Sequence, residues 1–156
     1  MTIYVIGGIN QDIVATSDNH LRPGETLTGT GLAYYPGGKG ANQAIAAARA
    51  GSPVTMIGCT GDDAFGAGLR SYLAESAVDI SRVSVSKDSP TGTALIIVAK
   101  GENSIMVVLG ANKEVMPEFV NDINLESDDV VVAQFETPLE TTLLAFEAAK
   151  NVGART

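Results

Sequence analysis

The sequence holds no tryptophan, one cysteine and one histidine, and aromatic residues make up only 5% of it. A lone thiol cannot close an internal disulfide, so stability has to come from packing and backbone hydrogen bonds. Cys59 lies in the apolar run Val54 to Cys59, which predicts a buried strand residue. His20 sits in a polar, turn-like stretch, so a Cys–His nucleophile pair is not expected. No His or Cys joins the carboxylates at metal-ligand spacing either. Positive charge is also scarce: 10 Lys and Arg against 18 Asp and Glu leave a net charge of −8. That balance argues against nucleic-acid binding and against adhesion to anionic membranes. No apolar run approaches the ~20 residues of a membrane-spanning helix. The segment Met1 to Gly7 has neither the basic leader nor the cleavage site of a signal peptide, so a cytoplasmic location is expected.

What is present suits one domain with a substantial core: 156 residues, 45% hydrophobic. Internal repeats, low-complexity tracts and linkers are missing. Ile3 to Ile6 is a short apolar run closed by Gly7-Gly8, the pattern of a fully buried strand. Val54 to Gly58 and Asp129 to Ala133 read the same way. Between them, Gly61-Asp62-Asp63 opens a helix through Leu69, Tyr72 and Leu73, with acid in its first turn. The order strand, helix, strand, helix predicts parallel crossovers. Thr26 to Tyr35 mixes Thr, Gly, Leu and Tyr as edge strands do. Thr91 to Val98 and Ser104 to Leu109 form a hairpin joined at Lys100-Gly101-Glu102-Asn103. Pro117 to Ile123 suits a short helix. Pro138 opens a longer one, Leu139 to Val152, with Leu143, Leu144 and Phe146 available for its apolar face. No strand is read after Gly153, which would leave the strand from Asp129 with an open edge.

The densest local signal is Gly37-Gly38-Lys39-Gly40-Ala41-Asn42, a glycine turn opening into a small-residue helix that runs to Gly51. Glycine lets a ligand approach the backbone, and a helix start offers unpaired N–H groups. The turn is not a P-loop, because Lys39 is followed by Gly40 and not by Ser or Thr, and it lacks a full dinucleotide fingerprint. Tight packing of helix on strand explains it equally well. Three polar sets nevertheless stand at strand ends or helix starts: Asn10 with Asp12, Lys39 with Asn42, and Glu136. Strand ends of one sheet line one edge. Carboxylates and amides there suit the hydroxyls of a small polar ligand, although Asn and Asp are also ordinary turn residues.

Gly37 to Ala44, Gly51 and Gly61 in this spacing resemble the N-terminal pattern of the ribokinase (PfkB-type) carbohydrate kinase family. The resemblance extends over Gly7 to Asp12, Pro23-Gly24-Glu25-Thr26, Cys59 to Asp63 and Gln134 to Glu140. It implies a doubly wound, mostly parallel α/β sheet carrying a small β lid, here about residues 13–36 and 91–109. Residues 1–156 would then be the N-terminal part of one domain whose C-terminal half is missing. The implied reaction is transfer of the ATP γ-phosphate, with Mg²⁺ and K⁺, to a pentose, D-ribose first, or to another sugar or nucleoside. Asn10 and Asp12 would bond sugar hydroxyls, Gly38, Lys39 and Asn42 would complete that corner, and Glu136 would approach from the opposite strand. Ala94, Ile96 and Val107 would line the apolar side, and the lid would also join two copies. The family's catalytic Asp belongs to a Gly-Ala-Gly-Asp motif that this sequence does not contain. The same comparison puts the nucleotide and cation sites in the missing half. A sugar-binding or dimerising piece without activity of its own is therefore a second expectation.

Overall fold

A strand with no polar alternation is satisfied only when both of its faces are covered. That condition organises the computed structural model, which describes every residue from Met1 to Thr156. The chain runs β1 (Ile3–Ile6), β2 (Asn10–Thr16), β3 (Gly31–Gly37), α1 (Lys39–Arg49), β4 (Val54–Gly61), α2 (Ala64–Glu75) and β5 (Asp79–Ser86). It continues with β6 (Gly92–Ala99), β7 (Glu102–Val108), β8 (Val130–Ala133) and α3 (Leu139–Val152). The strands form two sheets, β5-β4-β1-β8 and β3-β2-β6-β7.

The first sheet is parallel throughout. Val5 of β1 and Met56 of β4 point into a cluster with Ala41, Ala44 and Ile45 of α1 and Leu69 and Leu73 of α2. Ile6, Ile57 and Cys59 point the other way, against Val131 of β8 and Ala145 and Ala149 of α3. The period of two thus sends adjacent residues into opposite cores, giving three layers. This is the α/β architecture that the sequence pattern implied. The second sheet is mixed: β2 runs parallel to β6 and antiparallel to β3, and β6 pairs antiparallel with β7.

Several elements depart from the sequence reading. Strand β5 was not anticipated, and β2 begins earlier than the lid segment expected from about residue 13, at Asn10. Pro117 begins only a 3₁₀ turn, Pro117–Phe119, and another 3₁₀ turn spans Gly110–Glu114. Asp63 lies one residue before α2 as its N-cap, accepting a hydrogen bond from the Gly66 N–H at 2.8 Å, and no acid occupies the first turn. The buried face of α3 consists of Thr141, Thr142, Ala145 and Ala149, while Leu143 and Leu144 are exposed. Helical spacing from Ala145 to Ala149 puts the small residues against the sheet, where backbones approach closely. The outer edge of β8 is not bare. Val131 N–H donates to the Arg155 carbonyl at 2.8 Å and Arg155 N–H to the Asp129 carbonyl at 3.0 Å, a parallel bridge.

Candidate functional site

Register alone puts a polar pair beside an apolar floor on one face of the second sheet. Asn10, Asp12 and Val14 of β2 stand opposite Gly92, Ala94 and Ile96 of β6. Ala94 and Ile96 in turn stand opposite Val107 and Ile105 of β7. Residues two apart share a face. The polar end of this face therefore lies where the chain passes from β1 of the first sheet into β2, and the apolar end follows from it.

The third wall is the start of α1. Gly38 is its N-cap with φ +95°, a conformation costly for any residue with a Cβ, and a Cβ there would lie 2.4 Å from the Gly8 carbonyl oxygen. This close approach seats α1 on the β1–β2 turn, where Ala41 N–H donates to the Gly8 carbonyl at 3.1 Å. The N–H groups that a helix start leaves open attract an anion. Here the anion is the protein's own. Lys39 N–H donates to Glu136 Oε2 at 3.0 Å, and the Lys39 ammonium pairs with Glu136 Oε1. Glu136 is 8% exposed and is thereby held between the end of β8 and the start of α1. A carboxylate has about four acceptor sites, so Glu136 keeps capacity for a further donor.

Asn10, Asp12, Gly38, Lys39, Asn42, Glu136, Ala94, Ile96, Val107 and Ile105 line one cavity of about 200 Å³. All nine residues singled out in the sequence lie in that lining, which also contains Ile105. Its signal was available: Ile105 is two residues before Val107 and therefore on the same face. Asn112 was also missed, and its side chain bonds Asn10 from beneath. Burial pushes the Asp12 carboxyl above its ordinary pKa, and the charge of Glu136 pushes in the same direction. Larger hollows exist elsewhere, one of about 480 Å³ among Asn19, His20, Arg22, Glu25 and Lys100. Size does not select the site. Convergence of two carboxylates, two amides and an ammonium over an apolar floor does.

Such a lining can hold a small polyhydroxylated molecule, with its hydroxyls on Asn10 and Asp12 and its carbon face on Ala94 and Ile96. No group of three or more His, Cys, Asp or Glu side chains comes together as a metal site. Cys59 is buried in β4 away from the cavity lining, and burial pushes its thiol pKa up, which opposes thiolate chemistry.

A family model described as pfkB family carbohydrate kinase matches residues 2–155. The chain belongs to the pfkB carbohydrate kinase family. It is 43% identical over 141 residues to a ribokinase of Bacillus subtilis, covering 89% of this chain and 48% of that protein. To a deoxyribokinase of Salmonella typhi it is 35% identical over 156 residues, covering 98% of this chain and 51% of that protein. A solved ribokinase of Arabidopsis thaliana, complexed with ribose and ATP, matches with a TM-score of 0.83 at 29% identity. That match covers 97% of this chain and 51% of the Arabidopsis one. The chain thus spans about half the length of the curated pfkB relatives it matches.

Proposed function

We propose that this chain supplies the acceptor-sugar site of an ATP-dependent sugar kinase that converts D-ribose to ribose 5-phosphate. The observation that carries the reading is the cavity of about 200 Å³ joining Asn10, Asp12, Lys39 and Asn42 to the floor of Ala94, Ile96 and Val107. Asp12 accepts hydrogen bonds from two sugar hydroxyls, and Asn10 bonds a neighbouring oxygen. Gly38, Lys39 and Asn42 close the corner. Glu136 fixes Lys39 and offers its remaining lone pairs to the sugar. The second sheet is the lid, which excludes water from the reacting hydroxyl.

Phosphoryl transfer rests on aligning donor with acceptor and on neutralising charge at the moving phosphoryl group. The residues of this chain fit the acceptor only. The start of α1 is filled by Glu136, so it cannot cradle a phosphate, and no carboxylate cluster fits Mg²⁺. Accordingly, we assign ATP, Mg²⁺ and K⁺ to residues outside these 156. The chain alone then binds ribose without phosphorylating it. Exposed Leu32, Tyr34, Leu95 and Met106 on the second sheet suit a homodimer through that sheet. A kinase of free sugar belongs in the cytoplasm with its ATP, and no helix here is long and apolar enough to cross a membrane.

Calorimetry with ribose tests the reading. The 156-residue chain is expected to bind ribose, and Asp12→Ala to abolish binding while leaving the chain folded. Unchanged affinity in that variant would remove Asp12 from the site. Because Asp12 must be ionised to accept two hydroxyls and its pKa is raised, affinity should fall on acidification earlier than an ordinary carboxyl at about 3.9 would dictate. The similarity to a deoxyribokinase supports 2-deoxyribose as a second acceptor, and titrating both sugars separates the two.

A further inference from the structure

Asn112 is wholly buried in the 3₁₀ turn after β7, and every hydrogen bond of its side chain goes to Ile9 or to the cavity residue Asn10. Which end of an amide is oxygen is decided by its partners. The Ile9 N–H can only donate, and it meets the Asn112 side chain at 2.9 Å, so that atom is the oxygen. The other end of Asn112 is therefore the NH₂ group. It donates to the Ile9 carbonyl at 3.3 Å and to the Asn10 side chain at 2.7 Å. What it meets on Asn10 must accept, so Asn10 turns its carbonyl oxygen inward. The Nδ2 of Asn10 then has no protein partner, and it is not among the buried atoms left without one. It is open to the cavity that Asn10 lines.

Gly92 makes this meeting possible. A Cβ at that position would lie 2.2 Å from Asn112 Nδ2 and 2.3 Å from Asn10 Oδ1. The strand opposite Asn10 is therefore without a side chain at the one place where the two amides cross.

We propose that Asn112 is a positioning residue that turns the Asn10 amide so that its NH₂ group faces the cavity as a fixed donor. The inference rests on the sugar-site reading for the identity of the ligand. The site then reads polarity: the ligand atom over Asn10 must accept and the atom over Asp12 must donate. A hydroxyl or ring oxygen fits above Asn10, whereas an ammonium substituent there meets another donor and is rejected.

Side-chain amide NMR on the ¹⁵N-labelled chain decides it, with Asn10→Ala and Asn112→Ala used for assignment. Without ribose, the Asn112 NH₂ protons should be protected from exchange with water and those of Asn10 should exchange freely. Addition of ribose should shift the Asn10 NH₂ signals and leave those of Asn112 in place. Asn112→Ala, folded by circular dichroism, should weaken ribose binding roughly tenfold through loss of the oriented donor. Protected Asn10 NH₂ protons, or ribose binding that leaves them unmoved, would overturn the assignment. So would wild-type affinity in a folded Asn112→Ala. Failure of ribose to bind at all would remove the sugar reading instead, while the exchange pattern would still decide the amide orientation.

Discussion

Strand β4 of the first sheet is buried at all eight of its residues, whereas β7 of the second sheet is exposed at all seven. Yet both are rich in apolar side chains: Val54, Met56 and Ile57 in one, Ile105, Met106, Val107 and Val108 in the other. Apolar content therefore does not decide burial. Neighbours on both faces and both edges do. β4 is bonded to β1 and β5, with α1 and α2 over one face and α3 and its turns over the other. β7 is an edge strand bonded to β6 alone. Burial is thus concentrated in the first sheet, and the cavity lies where the second sheet meets the start of α1 and the end of β8.

The largest expected effect breaks the first sheet. Ile57 is fully buried between β1 and β5. Ile57→Ala removes three carbons from a packed site and should cost about 2–5 kcal/mol in urea unfolding. A loss under about 1 kcal/mol would mean that the core relaxes around the gap, and the contrast between the sheets would fail.

A middle-sized effect tests the junction. Asp63 accepts from the Gly66 N–H at 2.8 Å, the Thr91 N–H at 2.8 Å and the Thr91 hydroxyl at 2.6 Å. It thereby ties the start of α2 to the residue preceding β6. Burial opposes its ionisation, but the Thr91 hydroxyl bond and the backbone bonds outweigh burial and hold its pKa below the ordinary value. A depressed carboxyl stabilises the fold fully above its unfolded pKa of about 3.9 and loses that contribution as pH falls through the folded pKa. Asp63→Ala should cost roughly 1–2 kcal/mol at neutral pH, as loss of an N-cap does. The gap between variant and wild type should close on acidification. A gap that stays constant down to the wild type's acid unfolding would show that the charge of Asp63 contributes nothing.

How much of this was legible in the sequence follows the same division. β1, β8 and the first part of β4 were readable because strands covered on both faces write continuous apolar runs, and Pro138 marked the start of α3. β5 was not. A bulge between its pairings with Thr55 and Ile57 breaks the alternation, so Ile80 and Val83 fall out of step. β2 begins Asn10-Gln11-Asp12 and reads as a turn. Its strand form is imposed by β3 and β6 on either side. In the site, the polar residues were visible as strand-end clusters and Ile105 by the period of two. Asn112 left no local signal, because it sits in a turn without periodicity and meets Asn10 across 102 residues.

The smallest effect lies in β7. Met106 is 65% exposed and faces Leu95 across the strand pair. In a single chain, Met106→Ser therefore uncovers almost nothing that water does not already reach. Urea unfolding at a concentration where light scattering reports a monomer should show a change within about 0.5 kcal/mol. If two copies join through this sheet, the same residue is covered in the pair, and the substitution should shift the equilibrium toward monomer at higher concentration. A large stability loss in dilute, monomeric protein would contradict both the exposure of β7 and its contrast with β4. A dimer unaffected by the substitution would place the contact between copies away from Met106, and the exposed apolar face would then need another explanation.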